Sequence, residues 1–170
     1  MFSQENKGNT TYKILEDIIA KRAKIDGNVE VIEKPVAKII EYHLTKIIHT
    51  KDRVFVNTDG SKKASIKLTE KERDSIISAL RKELKHVWKS GDFQYPLAGT
   101  NSQGYLNNKR NTRLLFTRPI FLRNNEIAVV LFGNYITKSM YAHSDLSIYK
   151  MINDVWTIWI PISSRTDGEK

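Results

Sequence analysis

The sequence contains no cysteine, so disulfide bonds, thiolate metal sites and cysteine nucleophiles are all excluded. No apolar run approaches the ~20 residues that a membrane-spanning helix needs, and no transmembrane segment is predicted. With 40% hydrophobic and 28% charged residues, the composition is typical of a folded globular protein rather than a disordered one. A chain of 170 residues is long enough for one domain with a full hydrophobic core.

Acidic residues are few relative to basic ones. There are 19 Asp and Glu against 28 Lys and Arg, which gives a formal net charge of +9. The basic surplus lies almost entirely in residues 51–123. Such an asymmetry is typical of proteins that meet an acidic partner, a nucleic acid or an anionic membrane surface. A solvated basic surface is the preferred explanation. If there is a partner, an acidic protein or an anionic ligand is favoured over a nucleic acid.

Three segments carry the 3.6-residue period of amphipathic helices. The first covers residues 12–24, and the second follows Pro35 and runs to about residue 48. The third begins behind Thr69 and is expected to continue to about Lys89. Glu72 lies three residues after Thr69, which is the spacing of a capping box at a helix start. We therefore expect three helices in the first half of the chain.

Short β-rich runs fill the last third of the chain, with tight turns at Arg123–Glu126 and Ile152–Asp154. Because no helical pattern separates these runs, they predict an antiparallel meander rather than parallel βαβ units. Trp156 and Trp159 differ by an odd number and are expected on opposite faces of the last strand. The predicted fold class is α+β, with about three helices packed on one face of a mainly antiparallel C-terminal β-meander.

Residues 90–111 form a long connection without periodicity. Gly99 and Gly104 have P-loop spacing, but no Lys-Ser/Thr follows Gly104, so a nucleotide-binding P-loop is excluded. A connection of this length within a domain is typical of a binding loop or of a mobile segment. Its aromatic side chains could stack on a ring, and its arginines could bind phosphate or carboxylate. The alternative is that the arginines simply point outward from a strand. The candidate ligand-binding residues are Phe93, Tyr95, Tyr105, Arg110, Arg113 and Arg118.

Two of the four histidines stand out. His43 falls on the apolar stripe of the second helix and is predicted to be a hydrogen-bonded core residue. His143 lies in a polar stretch between two strands, with Asp145 nearby, and is the candidate catalytic residue, although a polar strand connection is the default explanation of the stretch. No metal-ligand spacing, cofactor motif or catalytic signature is present, so no metal and no cofactor is predicted. Any site is expected where residues 90–111 meet the connection 136–144.

The C-terminal part of the sequence resembles a known group of proteins. "FTRPIFLRNNEIAVVLFGNYI" followed by "LSIYKMINDVWTIW" is similar to the C-terminal part of uncharacterised exported proteins from Bacteroidetes. The resemblance implies export and the sheet topology, and it carries no catalytic residues. Where those proteins often have a cysteine pair, this chain has "KSMYAHSD". The matching residues are Thr117, Pro119, Ile120, Phe121, Ala128, Leu146, Tyr149, Lys150 and Trp156.

We predict a single α+β domain over residues 12–163, with disordered ends at 1–11 and 164–170. The preferred function is a non-enzymatic binding or interaction module, exported to the periplasm or cell envelope, with a cytoplasmic location as the alternative. The opening "MFSQEN" lacks signal-peptide regions but resembles the remnant of a trimmed Bacteroidetes-type signal. Alternatives from other classes are a small basic nucleic-acid-binding protein or nuclease, which would use His143, and an interbacterial toxin or immunity component.

Overall fold

The computed structural model describes residues 6–57, 63–99, 112–136 and 141–167. Three helices in the N-terminal half and a mostly antiparallel, mixed sheet of seven strands make the protein α+β, as the sequence predicts. In chain order the described elements are α1 (Asn6–Asp26), β1 (Val29–Ile32), α2 (Ala37–Ile48), β2 (Val54–Asn57), β3 (Ala64–Lys67), α3 (Glu70–Glu83), β4 (Leu97–Ala98), β5 (Thr112–Phe116), β6 (Ile120–Leu122), β7 (Ile127–Ile136), β8 (Tyr141–Ile152) and β9 (Val155–Asp167).

The main sheet has the strand order β4-β1-β5-β7-β8-β9, and β6 also pairs with β7. The predicted meander is present, since β7, β8 and β9 pair antiparallel in succession. Its second turn is a tight one in which Asn153 and Asp154 both have positive φ. Strand β1 was not predicted; it pairs parallel with both β4 and β5. Strands β2 and β3 form a separate hairpin.

Helices cover both faces of the sheet, so the prediction that they pack on one face is wrong. Along β7, Val129 and Leu131 lie on the face covered by α2 and α3, whereas Ala128 and Val130 lie on the face covered by α1. The physical reason is that β7 is apolar at successive positions, and a strand of this kind is buried on both faces. We call the second group the α1-side cluster; its buried members are Ile14, Leu15, Ile18, Ile19, Val29, Val31, Trp88, Phe93, Leu114, Phe116, Ala128, Val130, Tyr149 and Trp156.

The predicted placement of the two tryptophans of β9 is confirmed. Trp156 belongs to the α1-side cluster, and Trp159 packs against the cluster on the α2/α3 side. Pairing between β8 and β9 shifts register at two points, after Leu146 and after Ile148. At such bulges two residues of one strand face one residue of its partner, so neighbouring β9 residues share a face.

Helix α3 starts as predicted but ends earlier. The backbone N–H of Thr69 donates to Glu72 Oε2 at 2.8 Å, and the N–H of Glu72 donates to Thr69 Oγ1 at 3.2 Å, which completes the capping box. The helix ends at Glu83 and not near Lys89. The reason is that Trp88 packs in the α1-side cluster, on the opposite face of the sheet from α3. A helix that continued to residue 89 on the α3 side could not place Trp88 there.

The ends of the fold extend further than the sequence indicates. Helix α1 begins at Asn6 rather than at residue 12, and β9 continues to Asp167 rather than stopping near residue 163. Both terminal elements are therefore longer than predicted.

Candidate functional site

The aromatic residues predicted to bind a ligand are part of the core where the structure describes them. Phe93 is 8% exposed and packs edge-on against Trp88, with ring centroids 4.8 Å apart. Tyr95 is partly buried against the same α1-side cluster. Tyr105 and Arg110 lie outside the described residues. The connection after α3 thus uses its aromatic side chains for packing at residues 93 and 95.

The two described arginines of the predicted site are both ion-paired. Arg113 Nε lies 3.2 Å from Glu30 Oε2 on the neighbouring strand β1. Arg118 Nε lies 2.7 Å from Glu83 Oε1, and the Arg118 backbone N–H donates to the other carboxylate oxygen at 3.1 Å. Because Glu83 is buried, an anion that displaced it from Arg118 would leave a buried carboxylate with fewer partners, which is costly. These pairs favour a structural role for both arginines.

His143 lies on strand β8, so its predicted place in a strand connection is wrong. Strand β8 begins at Tyr141, which pairs with Ile136 of β7, so His143 lies within the strand. The His143 Nε2 lies 2.7 Å from Asp145 Oδ2, and the Nδ1 lies 2.9 Å from Thr166 Oγ1. All three side chains share the α1-side face of the sheet, because they alternate with Ser144 and pair in register across β8 and β9. A hydroxyl, an imidazole and a carboxylate are thereby in hydrogen-bonding contact.

His43 is a hydrogen-bonded core residue, as predicted. It is fully buried, with Nδ1 2.7 Å from Ser163 Oγ and Nε2 3.0 Å from Ser144 Oγ. Desolvation by burial lowers its pKa from 6.5 to about 4, although the nearby Asp145 charge acts in the opposite direction. A Cβ on Gly133 would lie only 3.3 Å from the Ser144 Cβ, so this glycine makes room for the serine that holds His43.

An open cleft lies between the second half of α1 and strands β7, β8 and β9. Its volume is about 240 Å³. The helix contributes apolar and basic side chains, and the sheet contributes large apolar and aromatic ones. The lining residues are Ile18, Lys21, Arg22, Ile25, Phe132, Tyr149, Trp156, Thr157 and Ile158.

The cleft has an apolar wall and a small number of hydrogen-bonding groups. Trp156 is 2% exposed, and within the described part of the chain its indole N–H is buried without a partner. Tyr149 is also buried; desolvation, followed by the Asp145 charge, raises the pKa of its hydroxyl well above the ordinary range. Among the described side chains that line the cleft there is no Asp, Glu or His. The lining therefore offers donors and hydroxyls but no acid–base pair.

The cleft and the His143 side chain lie on the same sheet face. Phe132 pairs directly with Asp145, and Asn134 pairs with His143. With its amide oriented to satisfy both neighbours, Asn134 accepts a hydrogen bond from Arg22 Nη2 at 2.8 Å and donates to the His143 carbonyl at 3.2 Å. Arg22 therefore links the helical wall of the cleft to the strand that carries His143.

Sequence reasoning missed the cleft. A usable signal exists in α1, where the apolar stripe through Ile14 and Ile18 reappears at Ile25 after an interruption by Lys21 and Arg22. On a helix, residues three and four positions after Ile18 share its face. Because Lys21 and Arg22 occupy these positions, the sequence predicts a gap in the apolar contact between α1 and the surface that it covers.

None of the three described helices has the length and apolar character needed to cross a membrane. The described side chains include no group of three or more His, Cys, Asp or Glu that could hold a metal ion. No family model matches the chain, and no curated protein or solved structure matches it at a significant level. The geometry of the chain's own residues therefore carries the functional argument.

Proposed function

We propose that the protein is a non-enzymatic binding module and that its binding site is the cleft between α1 and the sheet. The observation that carries this proposal is an apolar cleft with two exposed isoleucines in its lining. Ile25 is 73% exposed and Ile158 is 51% exposed. Concave, mostly apolar sites with a few polar groups are the usual form of small-molecule sites.

The volume sets the size of the ligand. A dry cavity of ~150 Å³ holds benzene, whereas sites for drug-sized molecules measure ~300–1,000 Å³. A cleft of about 240 Å³ therefore suits one substituted ring or a short branched chain. For a ligand of about ten heavy atoms, a modest ligand efficiency gives a binding free energy of about −4 to −5.5 kcal/mol, or a Kd of about 0.1–1 mM.

The composition of the lining favours binding over catalysis. General acid–base catalysis needs a titratable group within hydrogen-bond reach of the reacting atom. The described lining supplies Tyr149, whose raised pKa keeps the hydroxyl protonated, and the cations Lys21 and Arg22. Such groups orient a ligand, and none of them is a base at neutral pH.

The proposal is tested by titrating the protein with ethylbenzene and following isoleucine methyl groups by NMR. We expect saturable shifts at Ile18, Ile25 and Ile158. The Ile158→Glu variant places a charge in the apolar lining and should weaken binding at least tenfold. Ile152→Glu is the matched control, because Ile152 is 46% exposed on the same hairpin and outside the cleft, and it should bind like the wild type. Absence of saturable shifts in the wild type would overturn the proposal.

A second candidate function is nucleic-acid binding or cleavage with His143 as the acid or base. The contacts of His143 with Asp145 and Thr166 favour it, and so does the basic net charge. The ion pairs of Arg113 and Arg118 count against it, because they occupy the phosphate-binding groups. This function predicts affinity for RNA or DNA that falls steeply with salt, and cleavage that His143→Gln abolishes. An affinity for RNA or DNA that does not change with salt concentration would exclude this function.

A further inference from the structure

We propose that the hydroxyl of Thr166 is an acyl-acceptor site, in which His143 is the base and Asp145 positions His143. The donors that fit this site are uncharged acyl esters and thioesters with a good leaving group. The activity goes beyond the proposed binding function and does not depend on it, because none of the three residues lines the cleft.

The strand register brings the three side chains together. Thr166 of β9 pairs directly with His143 of β8, and Asp145 follows two positions later on the same face. His143 Nδ1 lies 2.9 Å from Thr166 Oγ1, and its Nε2 lies 2.7 Å from Asp145 Oδ2. A hydroxyl within hydrogen-bond reach of a base, whose other nitrogen is held by a third group, is the arrangement that activates hydroxyl nucleophiles.

The Asp145 carboxylate fixes which nitrogen of His143 carries the proton. An ionised carboxylate only accepts hydrogen bonds, so neutral His143 holds its proton on Nε2 in this contact. Nδ1 is then left with a free lone pair, and its contact with Thr166 forms only when the hydroxyl donates. The hydroxyl proton of Thr166 is therefore already directed at the base that would remove it.

His43 provides an internal comparison, because it also contacts hydroxyl groups. Its Nδ1 lies 2.7 Å from Ser163 Oγ, but the ring is fully buried and neither of its two side-chain contacts is a carboxylate. In contrast, the side chains of His143 and Asp145 are 31% and 25% exposed, and Thr166 is exposed. An acyl donor can therefore approach the contact between His143 and Thr166, whereas the ring of His43 is closed to it.

The step is an acyl transfer to the hydroxyl of Thr166. Oγ1 forms a bond to the acyl carbon while its proton moves to His143 Nδ1, and the bond from the acyl carbon to the leaving group breaks. His143 then gives the proton to the leaving group, which departs as an alcohol or a thiol. Thr166 is left as an acyl ester, so one donor modifies one protein molecule. Uncharged donors are favoured because the Asp145 carboxylate repels anionic ones such as phosphate esters.

The test treats the wild type with p-nitrophenyl acetate and locates the acetyl groups by mass spectrometry. Thr45 is the internal reference, because it is exposed and its hydroxyl donates to the Glu41 carbonyl at 2.9 Å rather than to a base. General base catalysis contributes about 10²–10⁴-fold, so we expect acetylation of Thr166 to be at least about a hundredfold faster than that of Thr45. The rate at Thr166 should rise with pH as His143 loses its proton.

Three variants separate activation from simple exposure. His143→Gln removes the base and should reduce acetylation of Thr166 to the rate of Thr45, whereas His49→Gln changes an exposed histidine on another element and should have no effect. Thr166→Ser keeps the hydroxyl and should stay reactive.

The comparison within the wild type needs no variant, so it decides the matter even if His143→Gln fails to fold. Equal acetylation of Thr166 and Thr45 would overturn the inference, and so would a rate at Thr166 that survives in folded His143→Gln. Either result leaves ligand binding in the cleft unaffected, because that binding is measured separately with ethylbenzene.

Discussion

The burial of His43 makes the stability of this protein depend on pH in a calculable way. The ring is enclosed between Ser144 and Ser163, and neither contact is a carboxylate that would stabilise the charged form. Burial lowers its pKa to about 4; Asp145 partly opposes this, and Arg165 adds to it. The perturbation to apply is acidification from pH 7.5 to pH 5.0, a range in which folded His43 stays neutral.

The sign and size of the effect follow from linkage. In the unfolded chain His43 takes up a proton as the pH falls through 6.5, whereas in the folded protein it resists protonation until the pH is about 4. The unfolded state therefore binds more protons in this window, and stability is lost as the pH falls. At pH 5.0 the loss from this one group amounts to about 2 kcal/mol relative to pH 7.5.

The assay is urea denaturation of the wild type and of His43→Gln at both pH values. Subtracting the change seen in the variant from that of the wild type removes the contribution of other titrating groups and should leave about 2 kcal/mol. His49→Gln is the matched control, because His49 is exposed at the end of the same helix, and it should follow the wild type. Equal pH dependence of the wild type and His43→Gln would refute the reasoning.

Two further predictions concern local packing and capping. Gly133→Ala should cost about 1–3 kcal/mol in urea denaturation, because its Cβ would lie 3.3 Å from the Ser144 Cβ. Gly99→Ala, where the nearest atom is 3.9 Å away, should cost clearly less, and equal costs would contradict the packing argument. Thr69→Ala should lower stability by about 1 kcal/mol through loss of the side-chain hydrogen bond to the Glu72 N–H, and Thr69→Ser should restore most of it. No loss in Thr69→Ala would show that the cap does not stabilise α3.

The elements that sequence analysis predicts correctly are those whose signals are local. The start of α3 depends on Thr69 and Glu72, and the final turn depends on Asn153 and Asp154, which are all close in the chain. The burial of His43 follows from its place on a helical stripe. Strand β1 could not be found in this way, because its four residues acquire their strand character by pairing with β4 and β5 far along the chain.

The side of the sheet on which a helix packs is not a local property. An apolar stripe shows that a helix is buried, but it is the same whether the helix covers one face or the other. The end of α3 also shows that a local pattern does not fix the face of the sheet on which a residue packs. Ile76, Leu80 and Trp88 fit one helical period in sequence, yet Trp88 lies on the opposite side of the sheet from the other two. Only the tertiary arrangement decides between these outcomes.

The cleft arises from the same mismatch between a local pattern and a tertiary surface. Ile18 packs in the core, and one turn later the stripe carries Arg22 in place of an apolar residue. The face of the sheet opposite Arg22 stays apolar, because it carries Phe132 and Trp156. A helix that turns polar over an apolar sheet leaves space between them, and Arg22 lines this space while it contacts Asp26 and Asn134. The proposed binding site is thus the place where α1 stops completing the core, and a ligand would complete it instead.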